Sequence, residues 1–455
     1  LKEFNVVRSL FIHTFIVNRI GKATKASRRR VSVIGCALVL ITGLMGFSGL
    51  PLKTAASPKK MGPGSGRTQT GTGACVDGAQ RSGALYRICV PNQWNGDLVV
   101  YAHGYAAPQL PLSIPDDQIG GVSLSQTVNQ LGYAFATTSY SKNGLAIKEG
   151  LADVVDLFNI FASANTRPRF VYIMGSSLGG AVAALAVEKF PQLFNGALTI
   201  SGPIGDFRAQ VNYFGDFRVV FDYFFPGVIP GDPFDIPLEV IANFNTVYVP
   251  RILAAITADP LATGQLLSVT KAPIDAADPT SIAATTLGLL FFNVLGSNDS
   301  TAELGGRAFD NSHRIYFGSN DDRALNRKIR RFTADRQALD ELRNFYETSG
   351  HVPVPVVAMH PTADPIVPSS QLKVYLIKAL IQGGFESFSN VVPRKVDRYG
   401  HVNVTAQEVL EAFSVLVARV SGRSLNIGQA PTASENDKRI GFIDRSRGKA
   451  GLHAF

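Results

Sequence analysis

The chain has 455 residues, of which 45% are hydrophobic and 17% charged, with 43 Gly and 25 Pro. That composition excludes a collagen-like, coiled-coil or disordered chain and leaves a globular protein, either one large α/β domain carrying an insertion or two domains. The net charge of +9 is concentrated: residues 1–56 hold nine Lys/Arg and one acid, a net of +8, so the rest of the chain carries only +1 and has no electrostatic case for a nucleic-acid partner.

In chain order, the basic stretch "SRRRV" leads into the apolar run "VSVIGCALVLITGLMGFSGL" (31–50) and then the small residues of "TAASPKK". This pattern predicts an export leader over 1–56, read as a cleaved signal peptide or, alternatively, as a membrane anchor; membrane contact is expected only if the leader is retained. Residues 57–74 are rich in Pro, Gly, Ser and Thr and read as a linker. Cys36 lies within the leader, which leaves Cys75 and Cys89 as a pair in "CVDGAQRSGALYRIC". In an oxidising compartment this pair predicts a disulfide closing a hairpin around the "DG" turn.

From there short Val-, Ile- and Tyr-rich runs alternate with helical patterns. Strands are predicted at 84–90, 97–104, 133–140, 169–175 and 196–202, with helices near 146–163 and 178–189. The alternation stops for about 150 residues and resumes with a strand at 354–360, a helix near 369–382, a strand near 389–397 and an amphipathic helix at 405–420. Such alternation predicts an α/β fold, a mostly parallel sheet with helices on both faces, built from residues 75–202 and 352–421. Residues 203–351 lie between two strands of that sheet and read as a large, mainly helical cap insertion. It opens on the aromatic segment "FRAQVNYFGDFRVVFDYFFPG" and closes on a charged helical run over 321–347. Residues 422–455 read as a polar tail.

The segment "VYIMGSSLGGAVAAL" (171–185) sets two serines among glycines at the end of a predicted strand. Only Ser177 has Gly two before it (Gly175) and two after it (Gly179), the spacing that allows a sharp strand-to-helix turn with a hydroxyl at its apex. A nucleophilic serine needs a base, and the base needs an acid to hold its tautomer. His401 in "DRYGHVNV" follows the last predicted strand, and Asp364 in "MHPTADPIVP" follows the strand before it, giving the order Ser, Asp, His; Asp397 is the alternative acid. The two donors for a developing oxyanion are expected from the backbone N–H groups of Leu178 and Tyr105, with Gly104 as second choice.

The four motifs "YAHGY", "GSSLGG", "HPTADPIVP" and "YGHVN", in this order and at strand ends, resemble the α/β-hydrolase superfamily in its serine-nucleophile, esterase- and lipase-like branch. The resemblance covers about 84–202 and 352–420. It implies Ser177 as nucleophile, His401 as base, Asp364 as acid and the Tyr105 and Leu178 amides as oxyanion hole. The expected function is an exported serine hydrolase, foremost a carboxylesterase acting through an acyl-enzyme on apolar or aryl esters. The alternatives are a prolyl-oligopeptidase-like peptidase, an acyltransferase and, more remotely, a non-catalytic binding module of the same fold. The aromatic start of the cap supplies pocket candidates, Phe214, Phe217 and Phe221. There is no H-E-x-x-H, no Cys/His ligand cluster and no phosphate-cradling G-x-x-x-x-G-K, so neither metal nor organic cofactor is expected.

Overall fold

A computed structural model describes residues 75–115 and 118–425. The expected leader, linker and most of the tail lie outside the described residues.

Eight strands form one sheet in the order β1(Cys75–Ala79), β2(Leu85–Cys89), β6(Ala134–Thr138), β3(Leu98–Ala102), β7(Val171–Ser176), β8(Gly196–Ile200), β9(Val356–Ala363) and β10(Val391–Tyr399); β4(Gln118–Ile119) and β5(Val122–Ser123) make a separate small hairpin. From β6 to β10 every pairing is parallel, and β2 alone runs antiparallel, to both β1 and β6. Side chains alternate across the sheet because successive residues of a strand point to opposite faces. Leu98, Val100 and Ala102 pack on one face with α2(Ile147–Ala164), α3(Leu178–Lys189) and α11(Ser370–Asn390). Val99 and Tyr101 pack on the other with α1(Leu124–Gln130) and α12(Ala406–Ser421). Burial of both faces explains why these strands read as unbroken apolar runs. This strand order, with its one crossing near the middle and its helices on both faces, is the α/β-hydrolase fold.

Between β8 and β9 every regular element is helical, the α-helices being α4(Phe207–Phe224), α5(Leu238–Ala242), α6(Val249–Ala258), α7(Pro260–Thr270), α8(Thr280–Leu304), α9(Asp322–Lys328) and α10(Arg336–Glu341). These helices carry an apolar cluster of their own, in which Phe217, Phe221, Leu289, Leu290 and Val294 are buried. Polar caps start several helices, with Asp206 accepting from the Ala209 N–H, Asp259 from that of Ala262 and Asp321 from that of Ala324. Thr405 and Glu408 form a reciprocal capping box at the start of α12.

The structure corrects several sequence readings. The hairpin turn is not at Asp77-Gly78, which lie inside β1, but at Gln80–Gly83, where the Gly83 N–H donates to Gln80 O at 3.0 Å. The register that pairs Cys75 with Cys89, which are disulfide-bonded, centres the turn on Ser82, and Asp77 is instead paired with Arg87 across the strands. The helix expected to end near 382 continues to Asn390, with one break where Gly384 takes a φ of 71°. The charged run 321–347 is not one helix: α9 and α10 are separated where Phe332 packs against the stacked pair Phe234 and Phe309 and pairs its backbone with Asn311. The tail's first residues are tied down, since Arg423 pairs with Asp97 and lies over the Phe170 ring.

Candidate active site

The turn after β7 shows why its residues are what they are. Ser177 takes φ 54° and ψ −125°, a strained conformation for a non-glycine residue, at the N-cap of α3. A Cβ on Gly175 would stand 2.0 Å from the Gly179 carbonyl oxygen, and one on Gly179 would stand 2.0 Å from that of Ala102. Both neighbours are backbone, so the turn closes only with glycine at each position. Ser176, the last residue of β7, faces away and shares a 3.0 Å hydrogen bond with the Tyr101 hydroxyl.

At the apex Ser177 Oγ lies 2.8 Å from His401 Nε2, while His401 Nδ1 lies 2.8 Å from Asp364 Oδ2 and 3.1 Å from Oδ1. A carboxylate only accepts hydrogen bonds, so Nδ1 carries the proton and Nε2 is free to accept the serine O–H. All three are hidden from water: Ser177 is 4% exposed, and the His401 and Asp364 side chains 1% and 0%. Asp364 Oδ1 also accepts the N–H groups of Ile366 (2.9 Å) and Val367 (3.0 Å). His401 is held by the residue after it: Val402, with φ 52°, donates its N–H to Ser201 Oγ at 3.1 Å. Such an arrangement moves the hydroxyl proton onto imidazole while the carboxylate steadies the charge that forms.

Asp397, the alternative acid, is elsewhere, accepting from the Thr362 hydroxyl at 2.9 Å on the exposed side of β10. His313 and His351 are exposed. His103 stacks on Tyr140 at 4.0 Å and bonds through Nδ1 to Gly104 O at 2.7 Å, and burial pulls its pKa down to about 4. Its loop packs on the elbow, since the carbonyls of Ala102 and His103 lie against Gly179. That places Tyr105 one residue beyond Gly104 on the loop, and Leu178 at the first turn of α3, where backbone N–H groups have no partner within the helix.

The pocket candidates separate. Phe217 and Phe221 are both 0% exposed within the cap's own apolar cluster and are spent on packing, which corrects the expectation that they line a pocket. Phe214 is only partly buried, stacks on Phe292 at 5.2 Å, and Phe292 meets the Tyr105 ring edge-on at 5.3 Å. The Tyr105 hydroxyl is buried without a hydrogen-bond partner among the described residues.

Sequence reasoning missed three residues. His360, four before Asp364, is buried with Nε2 3.6 Å from Asp364 Oδ2, and donates to Val367 O at 2.8 Å. Burial pulls its pKa down against the pull of the Asp364 charge. From the cap, Gln210 Nε2 donates to Ile366 O and the Tyr213 hydroxyl to Pro365 O, each at 2.9 Å. Nothing in the sequence pointed to these contacts: His360 lies in β9 and meets Asp364 only because the chain turns after that strand.

No protein-family model matches the chain, and no curated protein does. Among solved structures, it is similar to the acylaminoacyl peptidase of Pyrococcus horikoshii at 11% identity and TM-score 0.39, covering 80% of this chain and 44% of that one. The chain therefore spans less than half the length of that peptidase. A serine hydrolase from Cycloclasticus zankles is similar at 12% identity and TM-score 0.37, over 76% of this chain and 97% of that one. The esterase Pf2001 of Pyrococcus furiosus is similar at 11% identity and TM-score 0.38, over 76% and 89%.

Proposed function

We propose that the chain is a serine carboxylic-ester hydrolase that works through an acyl-enzyme. The observation that carries the reading is one imidazole, His401, within 2.8 Å of both the Ser177 hydroxyl and the Asp364 carboxylate. In this reading Ser177 Oγ attacks the ester carbonyl carbon as its proton passes to His401 Nε2. The tetrahedral oxyanion accepts from the N–H groups of Leu178 and Tyr105. Collapse breaks the C–O bond to the alcohol, which takes the proton from His401, and water repeats the sequence to release the acid and restore Ser177. The aromatic row of half-buried Phe214, buried Phe292 and half-buried Tyr105, which reaches the oxyanion loop, favours apolar or aryl esters.

A peptidase that captures a peptide amino terminus needs free acids on the cap. Asp216, Asp222 and Asp232 are paired with Arg314, Arg218 and Arg330, so these three are not available for that role. The Cys75–Cys89 disulfide supports an oxidising, exported setting, in line with the predicted leader.

The test is hydrolysis of p-nitrophenyl esters from acetyl to palmitoyl by the protein, beside Ser177→Ala and Ser176→Ala. Release that disappears with Ser177→Ala and persists with Ser176→Ala supports the reading. No release by the parent, together with no fluorophosphonate uptake at Ser177, rejects it.

A further inference from the structure

We propose that Gln210 and Tyr213, on the cap helix α4, are positioning residues for Asp364, so that the cap holds the triad's acid in place as well as roofing the site. The inference rests on the esterase reading above and adds to it a dependence of the chemistry on the cap.

Two peptide groups carry the argument. The unit joining Pro365 to Ile366 donates its N–H to Asp364 Oδ1, and its carbonyl accepts the Tyr213 hydroxyl. The unit joining Ile366 to Val367 donates its N–H to the same oxygen, and its carbonyl accepts Gln210 Nε2. Each peptide is therefore gripped from both sides, by the carboxylate in front and by α4 behind. Accepting a hydrogen bond at the carbonyl polarises the same unit's N–H, so the grip both fixes and strengthens the donors to Asp364.

The start of α4 is itself anchored. Gln371 Oε1 accepts the N–H groups of Gly205 (2.8 Å) and Asp206 (2.7 Å), while its Nε2 donates to Asp206 O at 2.8 Å. This ties α4 to α11, the helix that follows the acid loop. Gln210 is a poor choice as core filler, because it is 3% exposed and its Oε1 is buried with no partner among the described residues. An unmet acceptor costs free energy that an apolar residue of similar size avoids, so the bond to Ile366 O is what the side chain contributes. Tyr213 is kept a donor: burial first, then the Asp364 charge and Tyr399, push its phenol pKa far above the ordinary value.

The prediction follows from charge. A carboxylate beside imidazole orients the ring and stabilises the imidazolium that forms as the serine proton is taken up. When Asp364 is free to swing away, catalysis loses both. The experiment compares the parent chain with Tyr213→Phe, which removes one oxygen and keeps the shape, and with Gln210→Met. Values of kcat and KM are measured for p-nitrophenyl butyrate, and thermal unfolding is recorded alongside. The expected result is kcat down by about tenfold with KM little changed, the cost of a small misplacement of a catalytic group. A lowered melting temperature with kcat unmoved would overturn the proposal, as would a loss confined to KM or full activity in both variants. Should Gln210→Met fail to fold, Tyr213→Phe decides alone by the same two readouts. The parent is labelled with a fluorophosphonate in the same series. An unlabelled parent sinks the esterase reading, and the positioning role falls with it, whereas a labelled parent with unaltered variants sinks the positioning role alone.

Discussion

The sheet and the cap are built on different rules. In the sheet, burial on both faces and parallel pairing fix each residue by period and by backbone contact; Gly175 and Gly179 have no room for a single added carbon. In the cap, neighbouring aromatic residues of one helix take opposite roles. Phe217 and Phe221 fill the helical core, while Phe214 stacks on Phe292, the ring that meets Tyr105, and Tyr213 bonds the acid loop. The difference teaches that tolerance to mutation should track backbone contact in the sheet and side-chain partnership in the cap.

Ser177→Ala is the sharpest way to test the sheet side, with an expected fall in ester hydrolysis of at least about 10⁴-fold and an unchanged fold, read by circular dichroism beside the kinetic assay. Gly179→Ala asks the same question of the backbone. The loop carrying Ala102 must move to admit a methyl group, so stability should fall by roughly 3 kcal/mol or more in urea titration, and activity should fall with it. In the cap, Phe217→Ala should cost about 3–5 kcal/mol by leaving a cavity, while Phe214→Ala should cost less and instead alter acyl-chain preference. A loss equal in both would erase the distinction between packing and lining residues.

A smaller effect concerns His103, whose pKa is about 4 folded against an ordinary 6.5. Between those values the unfolded chain binds the proton and the folded chain does not, so stability is present above about pH 6.5 and is lost as pH falls toward 4. The full shift corresponds to about 3 kcal/mol. Urea titrations at pH 7 and pH 4.5 should show the parent losing more stability than His103→Gln; His360, also lowered by burial, keeps some of the loss in both. The smallest effect is expected from Ser176→Ala, which removes one hydrogen bond to Tyr101 and should change stability by about 1 kcal/mol with activity retained.

Much of the sheet was legible because period and length speak for themselves there. The runs at 97–104 and 169–175 became β3 and β7 within two residues, and the helix expected at 178–189 has those bounds. The strand β1 was harder to read, since its exposed "CVDGA" has no apolar alternation, and its turn was misread because Asp-Gly suits a turn but the cysteine register did not allow one there. In the cap the charged run 321–347 reads as helical at every local window, yet it breaks where Phe332 packs against a core assembled from distant residues.

By itself, the sequence determined the alternating sheet, the glycine-flanked elbow that singles out Ser177 over Ser176, and the chain order in which Asp364 and His401 follow it. These are local matters, set by periodicity and by the space a backbone turn allows. The tertiary structure alone decided that His401 reaches both partners at 2.8 Å, that Asp397 does not, and that Gln210 and Tyr213 stand behind the peptides that hold Asp364. All of those contacts but His401–Asp364, 37 positions apart, join residues more than 150 positions apart, and no local pattern encodes a distance that only the packing of loops at the sheet edge and of cap on sheet brings into being.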